Sequence, residues 1–230
     1  MTDNSTYIIF EELREIGFAA GVTLKGPWGK QQEVYDFVKQ NIVPSNYRIV
    51  SPKQVHGNEI ITVTDKPDAR FVADGTMTDQ ENICLTVSSA DCVPLLVADA
   101  GSGWFGAIHV GWRSYVSGIL ENLSRTCREL PIDIGNARFI TGPSLGSCCF
   151  EVGAEVAGLF DKTAIVGRGG SQFIDLRGAA RDKLISAGAA EANIGGSTDC
   201  TSCKADMYYS YRREKKSPVQ MVTFIYRTAV

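Results

Sequence analysis

The amino-acid sequence predicts a layered α/β fold built around a mixed β-sheet, and three observations predict it. Short runs rich in β-branched and aromatic residues are interleaved with amphipathic helical stretches, a mixture that suits neither an all-helical bundle nor an all-β sandwich. Glycine and proline are scattered as punctuation instead of being gathered into a linker. A hydrophobic fraction of 44% over 230 residues is enough to bury a substantial core. With no internal repeat or low-complexity tract, residues 1–230 read as a single domain.

The elements follow in chain order. Residues 31–42 carry Val34, Phe37, Val38 and Ile42 at helical spacing and predict the first amphipathic helix. Residues 47–50, 60–64, 83–87, 95–98 and 104–110 read as strands, and Gly57-Asn58 supplies a hairpin-turn signal between the first two. Residues 116–130 return to helical periodicity through Ile119, Leu120, Leu123, Cys127 and Leu130. A third helix is expected over 178–187, and 219–226 alternates like a closing strand.

Charge and cysteine content narrow the function classes. A net charge of −3 leaves no basic excess to neutralise a phosphate backbone, so nucleic acid is not expected as a partner. The opening residues are polar and no apolar run approaches the ~18 residues of a membrane-spanning helix, so no membrane association and a cytoplasmic location are expected. Seven cysteines at irregular spacing fit a reducing compartment better than a disulfide framework.

The chain has only two histidines, His56 and His109. His56 lies between two strand-like runs, His109 closes the run 104–109, and Cys92 lies where Pro94 biases a loop into a strand. Ligand sites gather where strands stop and loops diverge. Two imidazoles and one thiolate suit zinc, with a fourth position open for water or substrate; copper also takes two His and one Cys, but no axial ligand is evident. Equally, a strand-end histidine can be a hydrogen-bonded structural residue and a lone cysteine a small buried hydrophobe. Gly111, Arg113 and Ser114, in a strand-to-helix turn, form a candidate phosphate site, unless Arg113 merely pairs with a nearby carboxylate. Asp91 can be a general base, a partner of a histidine, or a loop carboxylate.

The ordered segments Gln54-Val55-His56-Gly57, Ala73-Asp74-Gly75, Ser89-Ala90-Asp91-Cys92-Val93-Pro94, His109-Val110-Gly111-Trp112-Arg113, Gly142-Pro143, Phe150-Glu151-Val152, Asp175-Leu176, Cys200-Thr201 and Ser210-Tyr211-Arg212-Arg213 carry a family resemblance. The chain resembles the YfiH family, laccase-like proteins labelled multicopper polyphenol oxidases and understood as purine nucleoside phosphorylases with accompanying deaminase activity. The resemblance implies an α-β-α sandwich similar to that of cysteine hydrolases and metal ligands at His56, Cys92 and His109; Cys92, Asp91 and Arg113 are then the candidate catalytic residues. It also implies purine nucleoside and phosphate as small-molecule partners; the oligomeric state is left open. The chain departs from the family pattern at Ala20-Gly21-Val22-Thr23, at Val110 and Ser114, and at Ala180.

Other readings of the cysteines remain. Cys92 flanked by imidazoles also suits a cysteine hydrolase, the same family resemblance admits a cysteine or zinc hydrolase acting on cell-wall precursors or another small amide, and a zinc-stabilised binding module without catalysis is a third reading. A true multicopper laccase is not expected, since its blue and trinuclear centres need roughly ten histidines. Cys148, Cys149, Cys200 and Cys203 are not expected to share an ion, because adjacent cysteines reach one centre less easily than a spaced pair. Cys84 and Cys127 read as core residues.

Overall fold

Helices and mixed sheets are layered as the sequence predicts, in a computed structural model that describes residues 6–64, 71–215 and 219–228. The polar opening residues 1–5 lie outside the described residues. β1 (Tyr7–Ile9) and β2 (Phe18–Thr23) flank the short α1 (Glu11–Arg14). α2 (Gln31–Asn41) buries Val34 and Val38 on the one face that their helical spacing defines. β3 (Arg48–Val50) and β4 (Ile60–Thr62) precede β5 (Gly75–Thr78), β6 (Ile83–Ser89), β7 (Val93–Ala98) and β8 (Phe105–Val110). The last four are buried throughout, so β6 to β8 read as near-continuous apolar runs and not as alternating strands.

The single helix expected over 116–130 is two: α3 (Trp112–Val116) and α4 (Ile119–Glu129). Gly118 between them has φ of 88°, a left-handed geometry that interrupts the helix and that only glycine adopts without steric cost. β9 (Arg138–Thr141), β10 (Glu151–Val152), α5 (Ala154–Ala157), β11 (Ile165–Arg168) and β12 (Ser171–Ile174) follow. α6 (Leu176–Ser186) is capped by Asp175, whose carboxylate accepts from the Gly178 N–H at 3.0 Å. β13 (Ile194–Gly196), α7 (Tyr211–Glu214) and β14 (Met221–Arg227) complete the described helices and strands. No helix among the described residues is long and apolar enough to cross a membrane.

The strands divide between a five-stranded sheet, β1-β2-β14-β6-β3, a six-stranded sheet, β13-β9-β7-β8-β5-β4, and a small sheet, β10-β12-β11. Pairing is mixed in both large sheets: β3 joins β6 in parallel beside antiparallel β14, and β4–β5 and β9–β13 are parallel pairs among antiparallel ones. β3 and β4 belong to different sheets, so Gly57 and Asn58 do not form the hairpin turn the dipeptide suggests. The N–H groups of that segment are taken by Asp74 instead.

β6 and β14 pack over β8, so the two large sheets meet face to face. Alternation along β7 sorts its side chains between two cores: Leu96 and Ala98 join Phe18, Leu85 and Phe224 between the sheets, while Leu95 and Val97 join Leu123 of α4 and Leu184 of α6 on the far side. β6 ends in one sheet at Ser89 and β7 starts in the other at Val93. Residues 90–92 therefore step from sheet to sheet, and the candidate site stands on that step.

Candidate metal centre and active site

The step between sheets demands a sharp turn, and Asp91 supplies it with φ of 99°, a strained conformation for a residue with a side chain. Asp91 is held there from several sides. Its carbonyl accepts from Leu145 N at 2.8 Å, and its carboxylate accepts from Thr201 Oγ1 and from Arg212 N, each at 2.6 Å. Cys92 follows directly at the cleft wall.

His56 also lies in the left-handed region, with φ of 60°. The buried Asp74 carboxylate accepts from the N–H groups of Val55, His56 and Gly57 at 3.2, 2.9 and 2.7 Å. Gln54 ties the same loop to β6 through both ends of its amide, which donates to Ser88 O at 2.8 Å and accepts from Ser88 N at 2.7 Å. Asp74 also receives the Nδ1–H of His109 at 2.8 Å. One carboxylate thus fixes one histidine through its backbone and the other through its ring, and a carboxylate acceptor dictates that His109 presents Nε2 to its other neighbours.

Charge follows from this packing. Burial works to raise the Asp74 carboxyl, but the bonds from His109, Gly57 and Val55 outweigh it and hold it below the ordinary carboxylate range. Burial also opposes charge on Cys92 and His109. Their mutual attraction prevails: His109 and His56 bring the Cys92 thiol down to about 6, while Cys92 and Asp74 push His109 up to about 9. In the metal-free protein this mutual attraction favours charge on both groups, a thiolate on Cys92 and a proton on His109.

One ligand atom each from His56, Cys92 and His109 lies within 4.8 Å of the other two, and the two rings meet edge to face with centroids 4.8 Å apart. Tetrahedral coordination at ordinary bond lengths sets sulfur and nitrogen about 3.6 Å apart. Cys92 Sγ and His56 Nε2 are 3.7 Å apart, so the donor set fits a single metal ion. The fit depends on Gly111, where a Cβ would lie 2.8 Å from His56 Cδ2 and 3.1 Å from Cys92 Sγ.

The three residues open onto a cleft of about 820 Å³ lined also by Trp112, Arg113, Leu145, Phe150, Leu176, Tyr211, Arg212 and Lys215. Arg113 is exposed, with its guanidinium 4.3 Å from the Trp112 ring. The three residues expected to bind phosphate are not brought to one surface. Arg113 faces the cleft and Gly111 backs the metal ligands, but Ser114 is fully buried, its Oγ has no hydrogen-bond partner among the described residues, and it does not line the cleft.

Sequence reasoning gave no role to Asp74, Thr201, Phe150, Tyr211, Arg212 or Lys215. All but Lys215 lie in the ordered segments quoted above, which was the available signal. The cysteines require a correction. Cys84 and Cys127 are buried in the two cores, but Cys148, Cys149, Cys200 and Cys203 converge, with their sulfurs within 4.8 Å of one another. A parallel bridge between Ser144 and Cys200 brings the two loops together, overriding the local awkwardness of adjacent cysteines.

A family model described as "Multi-copper polyphenol oxidoreductase laccase" matches residues 32–228. The purine nucleoside phosphorylase YfiH of Shigella flexneri is 31% identical over 180 residues, covering 76% of this chain and 72% of that protein. Adenosine deaminase RL5, from an unknown prokaryotic organism, is 32% identical over 197 residues, covering 78% of this chain and 75% of its own. Among solved structures, the hypothetical protein YfiH of Bacillus licheniformis shares the fold, with a TM-score of 0.87 at 23% identity over 99% of this chain and 98% of that one.

Proposed function

The chain belongs to the YfiH family of laccase-like proteins, whose named members include purine nucleoside phosphorylases and an adenosine deaminase, and from that premise we propose that it is a zinc-dependent purine nucleoside phosphorylase with a companion adenosine deaminase activity. The observation that carries this reading is one cleft combining a two-imidazole, one-thiolate metal set with a cationic flank and an aromatic wall. Arg113, Arg212 and Lys215 suit phosphate, and Phe150 and Tyr211, with Leu145 and Leu176, suit a purine ring.

In the reaction, a phosphate oxygen bonds to C1′ of the ribose as the bond from C1′ to the purine nitrogen breaks. The base leaves with the electron pair and takes up a proton, giving free base and ribose 1-phosphate. His56, Cys92 and His109 would hold the zinc, which when bound supplies Lewis-acid stabilisation of anionic oxygen. The cationic flank holds the phosphate and offsets its charge, and the aromatic wall orients the base. Asp74 keeps the His109 ring in one tautomer and one orientation. Asp91, both of whose carboxylate oxygens accept hydrogen bonds from Thr201 and Arg212, acts by positioning the Cys92 loop against α7 and not as the base. In deamination, water adds to C6 of adenine and ammonia leaves, with the base against the same wall. The family description names copper, but the two histidines of the chain are both used in this set, which zinc accepts. Seven cysteines at irregular spacing, five of them in candidate metal sites, fit a reducing, cytoplasmic setting.

The test is incubation of the purified protein with adenosine, inosine and guanosine, with and without phosphate, followed by analysis of free base, ribose 1-phosphate and deaminated product. Phosphate-dependent release of base is expected. His56→Ala, Cys92→Ala and His109→Ala should each lose cleft zinc and turnover; full activity in any one of them overturns the assignment. The depressed Cys92 thiol favours one second reading, a cysteine hydrolase. Under that reading, metal-free protein is active on a small amide and is inactivated by alkylation of Cys92.

A further inference from the structure

We propose that Cys148, Cys149, Cys200 and Cys203 bind a second zinc ion, in a closed tetrathiolate site that is structural and separate from the cleft. The four sulfurs lie within 4.8 Å of one another, with Cys203 Sγ 3.5 Å from both Cys148 Sγ and Cys149 Sγ. Zinc with four thiolates at about 2.3 Å sets neighbouring sulfurs about 3.8 Å apart, inside the observed spread. Packing does not explain the cluster, because Cys148 and Cys203 are exposed, unlike the core thiols Cys84 and Cys127.

The surroundings suit thiolate ligands. The Gly146 N–H donates to Cys200 Sγ at 3.3 Å, and the Cys200-Thr201-Ser202-Cys203 turn is closed by Lys204 N donating to Cys200 O at 3.0 Å. Zinc with four thiolates carries a surplus of negative charge. Arg168 stands beside it, donating to Ser147 O at 3.1 Å and to Cys148 O at 3.3 Å.

The site also has a consequence for the cleft. Phe150, next to Cys149, lines the cleft, and Thr201, next to Cys200, donates to Asp91. Arg213 adds bonds to Thr201 O at 2.7 Å and Ser202 O at 3.0 Å. An ion joining the two loops fixes the wall that these residues form, and four protein ligands leave it no open position for chemistry.

The test is metal content per chain and the cobalt(II) spectrum of full-length protein purified under reducing conditions. His56→Ala, which leaves all four cysteines intact, is expected to retain one tightly held zinc. After exchange it should show the intense thiolate-to-cobalt charge-transfer bands of a four-sulfur site. Cys203→Ser and Cys149→Ser should each lose one metal equivalent and those bands. Wild-type protein whose single zinc survives His56→Ala but not Cys203→Ser sustains this proposal while sinking the zinc assignment in the cleft. The proposal is overturned if His56→Ala protein holds no zinc and gives no four-sulfur spectrum, or if mass spectrometry finds Cys203 in a disulfide with Cys148 or Cys149. Should the cysteine variants fail to fold, the His56→Ala spectrum alone decides.

Discussion

Asp74 is the residue on which the cleft depends most. It is fully buried, and it serves three backbone N–H groups and the His109 ring at once. Asp74→Asn cannot keep all four, since an amide has one acceptor oxygen where the carboxylate has two. We expect cleft-metal affinity, measured by chelator competition, to fall about 10–100-fold. Stability in urea should fall by about 1.5–3 kcal/mol, as for loss of hydrogen bonds to a charged group. A second expectation concerns the metal-free protein. The depressed Cys92 contributes stability that is present above its ordinary 9.0 and lost as pH falls through about 6. The raised His109 contributes stability that is present below its ordinary 6.5 and lost as pH rises through about 9. The slopes oppose each other between pH 6.5 and 9, so urea midpoints of metal-free protein should be nearly level there, and alkylation of Cys92 should titrate near pH 6. The grouping of His56, Cys92 and His109 was legible in the sequence from its only two histidines and from the motifs of the family resemblance, although His56 stands in the loop between β3 and β4 and not at a strand end. Asp74 was not, because its role arises from pairing with distant backbone, which no local pattern encodes.

At the scale of elements, helices were the legible part: α2, α4 and α6 each present apolar side chains at helical spacing. β10 and β13, of two and three residues, are too short to show any periodicity. The Gly57-Asn58 turn signal misled because three hydrogen bonds to Asp74 and one donated by Ser88 N to the Gln54 side chain govern that loop more strongly than a dipeptide preference does. The junction of β8 and α3 yields a sharp expectation. Gly111→Ala places a methyl against the His56 ring and the Cys92 sulfur, and neither can give way without leaving ligand geometry. An overpacking cost of about 1–3 kcal/mol should fall on the metal site. Metal retention should drop about tenfold while the far-ultraviolet circular dichroism stays that of the wild type. Unchanged metal retention would mean that the glycine serves only the turn.

For the whole molecule, the layered mixed class was readable from composition and alternation, but the division into two large sheets was not. Sheet membership changes between β6 and β7 across three residues, and nothing in those residues distinguishes a step between sheets from an ordinary turn. We propose that both sheets unfold as one unit, because Phe18 of β2 and Phe105 of β8 meet across the interface with ring centroids 5.5 Å apart. Phe105→Ala should cost about 3–5 kcal/mol in a single denaturation transition seen alike by fluorescence and circular dichroism. Two transitions would show that the sheets fold separately. The clasp of Gln54 on Ser88 acquires a further meaning here. It ties the His56 loop to the five-stranded sheet, while Asp74, through its bonds from Val55, His56 and Gly57, ties the same loop to the six-stranded sheet that carries His109. An ion in the cleft therefore rivets the seam, and by mass action it lends the seam about 2.7 kcal/mol when free metal is a hundredfold above its Kd. Metal affinity becomes a strain gauge for the core: substitutions buried far from the cleft that let the sheets slide should register first as a leaking ion.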